Sequence, residues 1–146
     1  MYDVYETRGY SVVALPCLLE SVKLKEELGI PLDAMSFHKL ASAYYSQGEY
    51  AKSLEMYEKV LGIKLKSLGP DHPDTAATYD GIGNVYVSQG EYAKALEMYE
   101  KTLGIELKAF GPDHPDTAAT YHGIGTVYEK QSEYAKALEM LSLIHI

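Results

Sequence analysis

The residues best placed to do chemistry are histidines set among carboxylates, in Asp71-His72-Pro73-Asp74 and its copy Asp113-His114-Pro115-Asp116. Imidazole beside carboxylates could ligate a divalent metal or relay protons. A metal centre needs several ligands converging on one point, whereas these clusters stand 42 positions apart (113−71). The same residues also spell a helix start. Asp71 suits the N-cap, Pro73 suits the first turn, where its missing N–H costs nothing, and Asp74 favours the positive end of the helix dipole. That capping turn accounts for the cluster without a metal. No nucleophile–base set stands out: the histidines are at 38, 72, 114, 122 and 145, and Ser and Thr recur periodically. Gly81-Ile82-Gly83 lies inside a helical pattern with no preceding strand, so it is not a phosphate cradle. No catalytic residue, metal, cofactor or enzymatic activity is expected.

What must position these residues is a repeat. Glu49-Tyr50-Ala51-Lys52, Glu91-Tyr92-Ala93-Lys94 and Glu133-Tyr134-Ala135-Lys136 follow one another at 42 positions (91−49 and 133−91). A period of this size marks stacked supersecondary units. Within one unit, helix A is expected from Thr75 to Gln89. Gly90 supplies a left-handed C-cap, and Glu91 opens helix B. Tyr92, Leu96, Tyr99, Leu103, Leu107 and Phe110 form the apolar stripe of helix B, at helical steps. Gly111-Pro112 ends it. On helix A, Tyr79, Gly83 and Tyr86 share a face, with Ile82 beside them. Burying Tyr86 or Ile82 gains roughly 1.5–3 kcal/mol, which outweighs the roughly 1 kcal/mol that Gly83 costs against Ala. Gly83 is therefore expected where the partner helix comes close.

The composition bounds the partners. The 146 residues are 47% hydrophobic and 23% charged, as in a folded protein, with a net charge of −8. That charge, with no basic run, argues against nucleic acid. Cys17 is the single cysteine. It excludes an intrachain disulfide or a Cys-based zinc site and fits a reducing, cytoplasmic setting. The longest apolar run, Tyr10 to Leu19, is broken by Pro16 and too short to span a bilayer. Asp3 and Glu6 against Arg8 make a poor signal peptide. No membrane partner is expected.

The spacing of Ile82, Gly83, Tyr86, Gly90, Tyr92, Ala95 and Tyr99 resembles the tetratricopeptide repeat. So does that of Leu40, Ala41, Tyr44, Gly48, Tyr50, Ser53 and Tyr57, and of Ile124, Gly125, Tyr128, Ser132, Tyr134 and Ala137. The ordinary repeat has about 34 residues; the excess here is about two helical turns, assigned to a long helix B. The longer form with Gly-Pro-Asp-His-Pro-Asp resembles the kinesin-light-chain type. The resemblance implies an all-α, right-handed superhelical solenoid of antiparallel helix pairs, with A helices lining a concave groove.

On that groove the helical wheel sets His38, Ser42 and Tyr45, then Asp80, Asn84 and Val87, then His122, Thr126 and Glu129. They are the candidate peptide contacts, in a mixed strip without a run of Lys or Arg. Kinesin-light-chain-type repeats often carry an Asn associated with holding a peptide backbone where His38, Asp80 and His122 stand, so the resemblance does not carry that ligand mode over to this chain.

The expected organisation is a non-repeat segment over 1–17 and a degenerate helix and loop of a preceding repeat over 18–35. The repeat array follows over 36–140, as repeats at about 36–74, 75–116 and a truncated 117–140. The final hexapeptide, 141–146, is what a transposase mosaic-end sequencing adapter encodes in frame, and is expected to be an artefact. The chain then reads as a fragment of a longer array. Its expected function is a protein-interaction scaffold that binds a partner segment in the groove. The alternative is a regulatory array docking onto an effector domain, a nucleotide switch or a kinase, of the same longer protein. Self-association through uncapped repeat ends is also expected.

Overall fold

The computed structural model describes residues 4–144. Among them are seven helices and no strand: α1 (Val4–Glu27), α2 (Ala34–Ser46), α3 (Tyr50–Ser67), α4 (Pro73–Ser88), α5 (Tyr92–Ala109), α6 (Pro115–Lys130) and α7 (Tyr134–Ser142). The all-α expectation holds. Met1 to Asp3, and His145 and Ile146 of the final hexapeptide, lie outside the described residues. The chain divides into two compact units, Met1–Ile63 and Lys64–Ile146.

In the first unit α1 continues through Pro16, so the stretch that matches no repeat position is helical from Val4. Leu15, Leu40 and Ala43 form a buried cluster, with Leu18, Val22, Tyr44 and Met56 packed around it. Asp33 caps α2. Its carboxylate accepts from the Ser36 backbone N–H at 2.9 Å and the Ser36 hydroxyl at 2.7 Å. The Ser36 hydrogen bonds hold that carboxyl below its usual value. Lys25 Nζ donates to Ser36 Oγ at 3.1 Å, tying the end of α1 to the start of α2. Buried Ser53 of α3 donates to the Ala41 carbonyl at 2.7 Å, which satisfies a hydroxyl that burial would otherwise penalise.

In the second unit α4 and α5 run antiparallel. Lys94 lies over the Tyr86 ring at 5.7 Å, and Lys101, one turn pair later, over the Tyr79 ring at 5.4 Å, one turn pair earlier. The ring of Tyr99 lies against Gly83, so close that a Cβ there would stand 2.8 Å from it. That contact is why a glycine occupies a buried helical position. Ile124 and Val127 of α6 close over Ala95 and Tyr99. Gly125 meets the Ala137 carbonyl of α7, where a Cβ would stand at 3.4 Å. Gly123 faces the Tyr99 ring at ordinary contact distance.

The repeated Glu-Tyr-Ala-Lys motif is a clip across the turn between paired helices. Lys52 reaches Glu49 at 3.7 Å and the Tyr44 ring at 5.6 Å. Lys94 reaches Glu91 at 4.0 Å as well as Tyr86. Lys136 reaches Glu133 at 2.7 Å and the Tyr128 ring at 5.6 Å. Each cation–π contact at such an exposed place contributes about 0.5–1 kcal/mol. The turn also needs a left-handed residue. Gly48 (φ 78°) and Gly90 (φ 76°) supply it at no steric cost, while the third copy forces Ser132 to φ 63°.

Two expectations change. The cap of α4 is His72, not Asp71: His72 Nδ1 accepts from the Asp74 backbone N–H at 3.0 Å. His114 does the same for α6 at 3.1 Å. The residue immediately before the proline holds the cap geometry, which displaces Asp71 outward toward Lys108 at 3.9 Å. Thr75 and Thr117 hydroxyls donate to the carbonyls of Gly69 and Gly111, both at 2.9 Å, and close each loop. The buried face of α5 also differs from the expected stripe. It comprises Ala95, Tyr99, Thr102, Ile105 and Glu106, whereas Leu107 and Phe110 are more than a third exposed. Because α5 packs against both α4 and α6, its covered surface is broader than one stripe and turned away from Leu107.

Candidate peptide-binding site

The expected contacts fall on the A helices α2, α4 and α6. In the first unit His38 is exposed, with its ring edge-on to Tyr57 at 5.7 Å. Ser42 is half-buried, and its carbonyl accepts from Ser46 Oγ at 3.0 Å. His38 and Ser42 line a cleft of about 470 Å³ with Cys17, Leu18 and Ala43. Tyr45 is exposed and packs its ring against Tyr50 at 5.6 Å.

In the second unit Asp80 and Asn84, one turn apart, are joined. Asn84 Nδ2 donates to Asp80 Oδ2 at 3.5 Å, and Asn84 Oδ1 accepts the Tyr99 hydroxyl at 2.5 Å. Asn84 is thus a pinned amide that carries the position of the Tyr99 ring outward. Val87 is half-buried against the cluster of Ala95, Tyr99, Ile124 and Val127, so it serves packing as well. On α6, His122 and Glu129 are exposed, and the hydroxyl of half-buried Thr126 donates to the His122 carbonyl at 2.9 Å.

One cleft of this unit involves only Asp80 of the expected residues. A cleft of about 370 Å³ lies between α4 and α6, floored by α5. Four of its lining residues are acidic: Asp74, Asp80, Glu106 and Asp116. Glu106 is 6% exposed and accepts a hydrogen bond from the Thr120 hydroxyl. Burial raises the Glu106 carboxyl above its usual value; the Thr120 bond opposes this, and the nearby charges of Asp116 and Asp80 add to it. Burial likewise raises Asp80, against the hydrogen bond from Asn84. Among the described residues no group of three or more His, Cys, Asp or Glu is placed to hold a metal ion. Sequence periodicity missed Glu106 because it sits between expected stripe residues and reads as solvated. A signal was present: one repeat earlier the same position holds Lys64, so the acid is not part of the copied framework.

Paired helices, small residues at the crossing points and a fixed turn define a helix-pair repeat protein. The family model of the tetratricopeptide repeat matches residues 32–107 and 105–142, and the chain belongs to that family. Among solved structures it is similar to a kinesin-light-chain-type protein of nearly identical repeats from Podosopora anserina. The identity is 26% and the TM-score 0.79, over 94% of this chain and 67% of that one. BtubC from P. vanneervenii is 19% identical with a TM-score of 0.70, over 75% of this chain and 43% of that one. MamA is 24% identical with a TM-score of 0.68, over 95% and 64%. These last two likenesses concern the fold alone. No curated protein matches significantly. The chain thus spans about two thirds or less of the chains named here. No helix among the described residues is long and apolar enough to cross a membrane.

Proposed function

We propose that this chain is an interaction scaffold whose A-helix face binds an extended segment of a partner protein. The observation that carries the reading is the chemistry of that face. Asn84, held by the Tyr99 hydroxyl, stands beside Asp80 as a polar pair, and clefts open beside His38 and Asp80 within their respective units. Repeat proteins present such surfaces for binding. His38, Ser42, Tyr45, Asp80, Asn84, Val87, His122, Thr126 and Glu129 are the proposed contacts. Docking onto an effector domain of the same longer protein would use the same face; the full reading frame separates the two. Exposed, unbridged Cys17 supports a cytoplasmic setting. Self-association is supported by Leu138, 68% exposed on α7.

A peptide-array screen tests the binding role. Tyr45→Ala and Asn84→Ala should each abolish the hits while the melting transition persists. Hits that survive both substitutions would remove the groove assignment.

A further inference from the structure

We propose that the cleft between α4, α5 and α6 seats the guanidinium of an arginine from a basic partner peptide. The proposal rests on the peptide-binding reading and gives it a ligand chemistry. Three independent observations carry it.

The first is an open valence on a buried charge. Glu106 is 6% exposed, yet only Oε1 of its carboxylate is engaged, by Thr120. Oε2 receives no hydrogen bond from a described residue, and it keeps some access to solvent, since among the described residues no fully buried side-chain oxygen lacks a partner. Glu106 itself is one of the residues that line the cleft. A largely desolvated carboxylate without a full countercharge is costly, and the described residues supply only the weaker pull of His114. Among the described residues no lysine or arginine forms an ion pair with Glu106 or Asp80.

The second is shape. The cleft of about 370 Å³ is walled by Ala77, Ala119 and Phe110, which offer apolar surface to a side-chain stem. Its carboxylates lie at more than one depth: Glu106 buried, Asp80 half-buried, Asp74 and Asp116 exposed. Arginine matches both features, with an aliphatic stem and a planar fork of five donors that one carboxylate alone cannot satisfy. A metal ion would need carboxylates converging on one point, which the described residues do not provide.

The third is the repeat itself. Thr78, Ala77 and Asp74 have copies in Thr120, Ala119 and Asp116, so these positions belong to the framework. Glu106 and Asp80 do not copy: one repeat earlier the same places hold Lys64 and His38. The helix pair does not require a carboxylate at either place. An acid there serves something other than the fold, and the net charge of −8 favours approach of a cation.

The test titrates N-acetyl-arginine methylamide, and its neutral citrulline isostere, into the full chain labelled for NMR. The arginine compound should shift the amides of Asp80, Ala119 and Thr120, and citrulline should not. Glu106→Gln keeps an acceptor for Thr120 and removes a buried charge, so it should fold. It should weaken arginine binding by about tenfold, the scale of a lost charge-assisted hydrogen bond. Equal binding of citrulline, an unchanged Glu106→Gln variant, or stronger perturbation of the same amides by calcium would overturn the proposal. Array hits that depend on Asn84 but show no preference for arginine would sink this pocket and leave the groove standing. An array with no groove-dependent hit would sink the groove instead.

Discussion

The Tyr99 ring lies against Gly83 at a distance that leaves no room for a Cβ, and its hydroxyl is held by Asn84, the very next residue on α4. One side chain therefore reads two adjacent positions of its partner helix. The other copies pair Ala41 with Ser42 and Gly125 with Thr126, so the glycine and the amide do not always travel together.

Gly83→Ala should lose about 1–2 kcal/mol despite the better helix propensity of alanine, because the pinned ring must move. Combined with Asn84→Ser, which recreates the arrangement at 41 and 42, the loss should fall to about half or less, since the ring is free to shift. Urea denaturation of the four members of this cycle measures the coupling. Additive losses would mean that Asn84 does not hold the ring.

The caps give a second expectation. His72→Ala should cost about 0.5–2 kcal/mol, the value of a lost N-cap, and His72→Asn much less. Asp71→Ala should cost under about 1 kcal/mol, because its contact to Lys108 is an exposed ion pair. Thermal melts of the three variants decide it. A larger loss from Asp71→Ala would restore the cap to that residue.

Glu106 and Asp80 set a pH dependence. Both carboxyls sit above their usual values of 4.5 and 3.8 in the folded chain. The folded state then binds protons more tightly than the unfolded state between each usual value and the raised one. Their contribution to stability therefore improves as pH falls through the raised values, and is least favourable above them. Asp116, Asp80 and His114 act electrostatically on Glu106, Thr120 donates a hydrogen bond to it, and Asn84 donates to Asp80. Asp33, held low by Ser36, works in the opposite direction as pH falls through the usual carboxylate range. Glu106→Gln should remove part of the mildly acidic gain, read as the difference in urea midpoint between neutral pH and a pH just above 4.5. An identical pH profile in wild type and variant would contradict this origin.

Leu138 stands 68% exposed on α7. With Leu141 at 40% and Leu143 at 38%, it adds the apolar surface that the proposed self-association would cover. Sedimentation should show concentration-dependent association that Leu138→Glu reduces. Unchanged association in the variant would place the contact elsewhere.

The framework was legible because it is copied. The 42-position period, the left-handed Gly90 and the close approach at Gly83 follow from residue type and spacing alone, and the structure bears them out. The cap was misassigned because Asp71 and His72 both offer an acceptor, and only backbone geometry selects between them. A helical wheel puts Leu107 and Phe110 in the stripe because it assumes one partner face, whereas α5 has two neighbours. Glu106 was invisible to periodicity for the same reason. The clip role of Lys52, Lys94 and Lys136 needed the tyrosine two turns back in the preceding helix, a tertiary relation that motif spacing alone does not assign.

The most direct measurement maps an array-selected peptide onto the isotope-labelled chain by amide chemical shifts. The account predicts that perturbations gather on the A helices, at His38, Ser42, Asp80, Asn84, His122 and Thr126. Perturbations confined to the B helices α3, α5 and α7 would contradict it.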